Sequence, residues 1–310
     1  MVTAIGIIGL GKTTEDQHLP VIAKNPAFRL AAVSSQRGVA VDGVPTFRTP
    51  AEMYAAVPDL AAVAICTPPQ VRHGYALQAL AAGKDVLLEK PPAATVSELD
   101  DMARFAEAAG RVLFTTWHSQ YNAAVLHARR LLEGETVRKL VVTWKEDVRR
   151  WHPGQKWIWT AGGFGVFDPG INALSIVTEI MPEPVFVAGA DLTYPENCEA
   201  PIAASLRFRT ARSGEGLVAE FDWRQTGPQT WDIEIETGAG NRLKLSHGGA
   251  RLDLNGDLDV ERPAHEYEDI YDRFAELLRD RRSLVDAAPL RLVADAFMVG
   301  RRITTDPFHD

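Results

Sequence analysis

Between Thr3 and Thr116 short apolar runs and helical stretches take turns without a break, and few folds accept such a pattern. The apolar runs are Thr3–Ile8, Phe28–Val33, Ala62–Cys66, Val86–Leu88 and Val112–Thr116. Each is strand-length and nearly continuous in hydrophobicity, as a strand covered on both faces must be. Helical stretches lie between them, over about 17–24, 71–82 and 95–110. Thr49-Pro50-Ala51-Glu52 and Thr95-Val96-Ser97-Glu98 each carry the Thr and Glu of a capping box at the start of a helix. Alternating strands and helices predict a doubly wound parallel sheet.

The joints of that sheet carry the chemistry, because ligands bind at the carboxyl edge of a parallel sheet. After the first strand comes Gly9-Leu10-Gly11-Lys12-Thr13-Thr14. Gly9 permits a tight turn, and Gly11 lets a pyrophosphate approach the backbone where the next helix starts. Thr14 stands where the third glycine of the dinucleotide fingerprint belongs, so the fingerprint is imperfect. The second strand ends in Val33-Ser34-Ser35-Gln36-Arg37, with no acid before Asp42 to hold a ribose 2′-hydroxyl. Ser35 and Arg37 suit a 2′-phosphate instead, which favours NADP and leaves NAD open; an ordinary polar loop reads the same way. Thr67-Pro68-Pro69 closes the third run and would lie against the cofactor. Glu89-Lys90-Pro91-Pro92 closes the fourth, placing a lysine between a carboxylate and two rigid residues. Lys90 could act there on a substrate oxygen, or the pair could be a solvated ion pair at a strand end.

At 310 residues the chain exceeds a typical single core. The texture changes near Trp117-His118, and from Lys139 onward strand follows strand with Gly-rich turns. We therefore expect a dinucleotide-binding unit over 1–118. A substrate-binding α+β unit over 119–310 would follow, with a largely antiparallel, open-faced sheet. The open face leaves room for a homo-oligomer. Helices are expected over about 266–278 and 290–301, both structural.

Two stretches of this half stand out. Trp151-His152-Pro153 and Gln155-Lys156-Trp157-Ile158-Trp159 gather three tryptophans in one expected loop, whose flat apolar faces suit a sugar ring or a packed loop core. Gly162-Gly163-Phe164-Gly165-Val166-Phe167-Asp168-Pro169-Gly170-Ile171-Asn172 opens a helix, with Asp168 and Asn172 on one face of it. Asp before Pro is also a standard helix cap.

A net charge of −8 and the lack of a basic stripe argue against nucleic acid. No apolar run approaches the roughly 20 residues of a membrane span. Cys66 and Cys198 show no metal-ligand spacing and cannot form a disulfide framework. With no basic leader before Thr3, a cytoplasmic protein without a structural metal is expected.

Taken together, the Gly9/Gly11 turn, Cys66-Thr67-Pro68-Pro69 with His73, Glu89-Lys90-Pro91 and the glycine-rich run into Asp168 resemble the Gfo/Idh/MocA family of NAD(P)-dependent oxidoreductases. The resemblance covers nearly the whole chain. Asp16-Gln17-His18-Leu19-Pro20, the doubled Pro91-Pro92 and Asp168-Pro169-Gly170-Ile171-Asn172 are most similar to its L-arabinose/D-galactose 1-dehydrogenase branch. The family commonly ends the glycine-rich motif in a catalytic His; Asn172 stands there in this chain and cannot titrate. The resemblance implies a Rossmann domain and oxidation of an aldopyranose at C1. Lys90 and Asp168 would be catalytic. Gly9, Gly11, Lys12, Thr13, Ser35, Arg37, Thr67, Pro68, Glu89 and Lys90 would line the cofactor. His118, Glu146, Trp151, His152, Asn172 and Trp231 would contact the sugar. An inositol or keto-sugar dehydrogenase, and a non-catalytic nucleotide- and sugar-binding regulator, remain as alternatives.

Overall fold

The computed structural model describes residues 2–213, 215–263 and 265–309. The chain divides into two compact units, 1–117 with 266–287 and 118–265 with 288–310.

The first unit is a six-stranded parallel sheet. Its strands are β1 (Thr3–Ile8), β2 (Phe28–Ser34), β3 (Thr46–Phe47), β4 (Ala62–Ile65), β5 (Asp85–Leu88) and β6 (Leu113–Thr115). Their order is β3-β2-β1-β4-β5-β6. The order reverses at β1, so the loops after β1 and β4 meet at the crevice where doubly wound sheets bind ligands. Both expected capping boxes are formed, Thr49 with Glu52 and Thr95 with Glu98. β4 and β5 are buried along their whole length, which explains why their sequences do not alternate.

The helix Glu266–Asp280 belongs to this unit and not, as expected from chain order, to the second. Aromatic packing explains the return. Phe274 stacks between Phe28 and Phe114, with ring centroids 5.8 and 6.1 Å away, and Tyr271 meets Phe28 edge-on. Arg281 then forks onto Asp85 at 2.7 and 3.1 Å, while Asp85 also accepts from the Val112 amide. Leu284 exchanges backbone bonds with β6.

The second unit is a nine-stranded mixed sheet. Its strands are β7 (Val137–Lys145), β8 (Phe186–Pro195), β9 (Ala203–Arg209), β10 (Leu217–Asp222), β11 (Thr230–Thr237), β12 (Arg242–Ser246), β13 (Arg251–Leu254), β14 (Asp257–Glu261) and β15 (Gly300–Thr305). The order is β14-β13-β12-β11-β7-β10-β9-β8-β15. Most pairs are antiparallel; β7 with β10 and β8 with β15 are parallel. β15 was not expected: the last helix, Ala288–Val299, stops earlier than its hydrophobic pattern suggested and Gly300 opens an edge strand. The helix Phe167–Ile180 carries this unit's core, with Phe167, Ile171, Leu174 and Ile176 all buried.

Candidate active site

The glycine turn after β1 has the form a dinucleotide needs. Gly9 has φ +97°, and a Cβ there would lie 3.0 Å from the Thr67 amide nitrogen, so a side chain at 9 would press on the loop after β4. At Gly11 a Cβ would meet nothing within 4 Å, which leaves the backbone open to a ligand. Thr14, in the place of the third glycine, donates its hydroxyl to the Gly9 carbonyl at 2.9 Å and is buried. The departure from the fingerprint therefore stiffens the turn.

Around the turn, Arg37 donates to the Leu10 carbonyl at 2.6 Å and so lies across the loop, whereas Ser35 is buried. The Thr67 hydroxyl is buried with no hydrogen-bond partner among the described residues. An open backbone at Gly11 and an unsatisfied donor-acceptor at Thr67 fit a dinucleotide. Thr13 and Pro68 are exposed beside them. Lys12 is exposed too and pairs with Asp16 one helical turn on, at 2.5 Å. His73 pairs with Asp101 at 2.9 Å, tying together two neighbouring helices.

At the end of β5, Lys90 is half-buried and its amide donates to Glu89 Oε2 at 2.9 Å. Glu89 is itself only 4% exposed. Its Oε1 accepts from Tyr267 at 2.9 Å and meets His18 Nε2 at 3.0 Å, while His18 Nδ1 meets the Tyr271 hydroxyl at 2.8 Å. Burial opposes a charge on His18, but Cys66, Tyr271 and the hydrogen bond to Glu89 together outweigh it. They hold the imidazole well above its usual range. Burial and the Glu89 charge in turn push the Tyr267 hydroxyl well up. Arg72, also buried, donates to the carbonyls of Glu89 and Pro91 on either side of Lys90, and to that of Thr67. The lysine thus stands on a backbone pinned from beneath.

In the second unit the glycine-rich run packs against backbone. A Cβ at Gly163 would fall 2.0 Å from the Trp157 carbonyl oxygen, and one at Gly165 would fall 2.3 Å from that of Pro201. This close approach fixes the start of the helix Phe167–Ile180 and sets Asp168 in its first turn. The capping alternative does not apply, since Val166 is the capping position. Asn172 follows one turn later, half-buried.

Glu146, Trp151, His152 and Trp231, four of the six expected sugar contacts, are linked through Trp223 into one cluster, and His152 joins it to Asp168. The carboxylate of Glu146 is buried and takes one indole N–H from Trp223 at 3.1 Å and another from Trp231 at 2.9 Å. Trp151, which ends a short helix rather than lying in a loop, packs on Trp231 with centroids 5.7 Å apart. The Trp151 indole N–H is buried and has no partner among the described residues. His152 packs on Trp223 at 5.2 Å and brings Nε2 to 3.4 Å from Asp168 Oδ2. His118 is placed in a short 3-10 turn, its Nδ1 3.4 Å from the Ser119 hydroxyl.

Three contributors are not singled out by the sequence: Tyr267 and Tyr271, one helical turn apart in a helix expected to be structural, and Trp223. The signal was in the side chains, since buried Tyr and Trp need a polar partner.

Comparison with known proteins gives the family and the fold. Residues 3–117 match the model of the Gfo/Idh/MocA oxidoreductase family, NAD-binding Rossmann fold. Galactose 1-dehydrogenase of Pseudomonas fluorescens is 44% identical over 306 residues, 99% of this chain and 98% of that protein. The chain belongs to the Gfo/Idh/MocA family. It is an NAD(P)-dependent oxidoreductase. The crystal structure of D-galactose-1-dehydrogenase from Rhizobium etli superposes with a TM-score of 0.94 at 53% identity, covering 99% of this chain and 98% of that one. A 3-ketoreductase from Actinomadura kijaniata, solved with NADP and TDP-benzene, shares the fold at a TM-score of 0.84 and 17% identity, over 98% of this chain and 100% of that one. Among the described residues no helix is long and apolar enough to cross a membrane.

Proposed function

We propose that this family member oxidises an aldopyranose of galacto configuration, such as D-galactose or L-arabinose, at C1 to the aldonolactone. The full-length likeness to galactose 1-dehydrogenases supports sugar oxidation at C1. The observation that carries the reading in this chain is the Trp151 indole N–H, buried beside Trp231 and the Glu146 clamp with no partner among the described residues. An aromatic wall with one unsatisfied donor is what a sugar ring with its hydroxyls satisfies.

The nicotinamide dinucleotide supplies the hydride acceptor when bound. Gly9, Gly11, Thr13, Thr67 and Pro68 are the residues we assign to hold it. Arg37 and Ser35 favour the 2′-phosphate of NADP over the 2′-hydroxyl of NAD, because a guanidinium forks onto phosphate. Lys90 donates to the anomeric oxygen and stabilises the charge that develops as its proton leaves. Asp168 accepts that proton, since Asn172 has no group that titrates. Asn172, Trp151, Trp231 and His118 orient the ring. A cytoplasmic enzyme that works as a homo-oligomer is consistent with this reading.

The test follows nucleotide reduction by absorbance with NADP or NAD and a panel of L-arabinose, D-galactose, D-fucose, D-glucose, D-xylose and myo-inositol. Turnover of the galacto-configured sugars, lost in Lys90→Ala, is the expected result. Turnover of myo-inositol or a keto sugar alone overturns the aldose reading and keeps the family. Nucleotide binding with no turnover of any sugar makes the chain a regulator.

A further inference from the structure

Asp168 is buried, its side chain only 4% exposed, so a proton it accepts needs a way out. The neighbouring ring of His152 is 19% exposed. A polar group lies against each ring nitrogen. Nδ1 lies 3.4 Å from Gln155 Oε1, and the same Oε1 accepts from the Trp157 indole at 3.1 Å. An indole N–H can only donate, so it fixes the oxygen of the Gln155 amide toward Trp157 and His152. His152 therefore faces an acceptor on each nitrogen: the Gln155 oxygen on Nδ1 and the Asp168 carboxylate on Nε2.

A neutral imidazole has one N–H and satisfies one of these acceptors; an imidazolium satisfies both. Once Asp168 carries a proton it can donate, and the ring with its own proton on Nδ1 toward Gln155 then offers the lone pair of Nε2 to it. Both nitrogens stand 3.4 Å from their acceptors, so the proton can sit on either side of the ring. Three charged neighbours in the sequence or cluster have contacts of their own. Arg149 lies over Phe308, Arg150 lies over Trp151, and the Glu146 carboxylate is held beyond Trp223 by its two indoles.

We infer that His152 is a proton relay, receiving from Asp168 the proton of the substrate hydroxyl and passing it to water. For its substrate the inference rests on the aldose reading above; its geometry lies wholly within the second unit. As the hydroxyl O–H bond breaks, the proton moves to an Asp168 oxygen. The C1–O bond becomes C=O as the C1 hydrogen departs with its electron pair to the dinucleotide. Carbon is oxidised and the nucleotide reduced. The Asp168 proton then forms a bond to His152 Nε2, and the imidazolium releases one proton to solvent. Asp168 is thereby restored as a carboxylate for the next turnover.

The experiment compares His152→Gln and His152→Ala with the parent chain over a pH series and, separately, follows the His152 ring by NMR in the free protein. His152→Gln keeps a polar side chain but cannot take a proton. Its kcat should fall by roughly 100-fold with KM for the sugar little changed, and the acid limb of the kcat profile should disappear. Added imidazole should restore the rate of His152→Ala in proportion to the free base. In the NMR arm, Asp168→Asn should move the His152 titration to lower pH, because it removes the charge that favours the imidazolium. A raised KM at unchanged kcat would make His152 a hydroxyl contact and overturn the relay. So would an equal loss of kcat at every pH without imidazole rescue. If the parent chain turns over no aldose, the substrate reading fails by itself. The NMR arm then decides alone, and a titration indifferent to Asp168→Asn overturns the pairing.

Discussion

His18 Nε2 and Glu89 Oε1 meet 3.0 Å apart with neither residue more than 4% exposed, so the residue beside Lys90 is half of a buried ion pair. Such a pair is costly to desolvate and more costly to break, because removing one partner strands the other. His18→Gln should lower stability by about 3 kcal/mol in chemical denaturation. Tyr267→Phe, which removes one hydrogen bond to the same carboxylate, should cost about 1–2 kcal/mol. Equal losses in the two variants would argue against a charged His18.

The same pair gives stability a direction in pH. The folded state holds His18 well above its usual range, so it binds a proton that the unfolded chain releases near pH 6.5. This contribution is complete below that pH and is lost as pH rises from there through the raised folded value. A second decline begins near pH 10, the ordinary range of tyrosine, because burial holds Tyr267 well up and Tyr271 up to about 12. Melting temperature should therefore fall from neutral into alkaline solution. The first part of the fall should be absent in His18→Gln.

Lys90→Ala should reduce kcat by about 100-fold or more, the usual cost of losing a donor to a developing oxyanion. Nucleotide affinity in a fluorescence titration should be retained, since the glycine turn is untouched. Arg72→Gln should give a smaller loss of kcat, because its guanidinium acts through backbone, on the carbonyls either side of Lys90 and on that of Thr67.

Arg37→Ala should weaken NADP roughly tenfold, the effect of losing about 1.4 kcal/mol of charge-assisted contact. NAD affinity should change much less. An equal loss for both nucleotides would mean that Arg37 supports the loop through Leu10 and does not read the phosphate.

Gly163→Ala should destabilise the second unit by about 1–3 kcal/mol or more, since the new Cβ would collide with the Trp157 carbonyl. Circular dichroism melting would read the loss. The bound to watch is the start of the helix Phe167–Ile180, where Asp168 stands.

The first unit was legible because its signals are local. A strand buried on both faces, two capping boxes and a glycine turn each declare themselves within a few residues, and all were found where expected. The positions of Asp168 at the start of a helix and Lys90 after a strand end were legible for the same reason. What escaped notice depends on pairs distant in sequence. Tyr267 and Glu89 are 178 positions apart, Tyr271 and His18 are 253 apart, and no periodicity links them. The hydrophobic stripe of Glu266–Asp280 correctly announced a buried helix, yet amphipathicity does not say which core a helix will cover. The role of Gln155 was hidden likewise: only the Trp157 indole reveals which way its amide points.

The return of residues 266–287 to the first unit has a consequence for how the protein is made. On the ribosome, synthesis proceeds from the amino end, and domains tend to fold as they emerge. Here the nucleotide-binding unit leaves the tunnel without its last helix, and Phe28 and Phe114 meet Phe274, and Glu89 the Tyr267 hydroxyl, only after the whole of 118–265 has been translated. A nascent chain arrested before Tyr267 would leave both units open, the first without the helix Glu266–Asp280 and the second without the helix Ala288–Val299 and the edge strand β15 that pairs with β8, so the two are completed together by the last stretch of the gene.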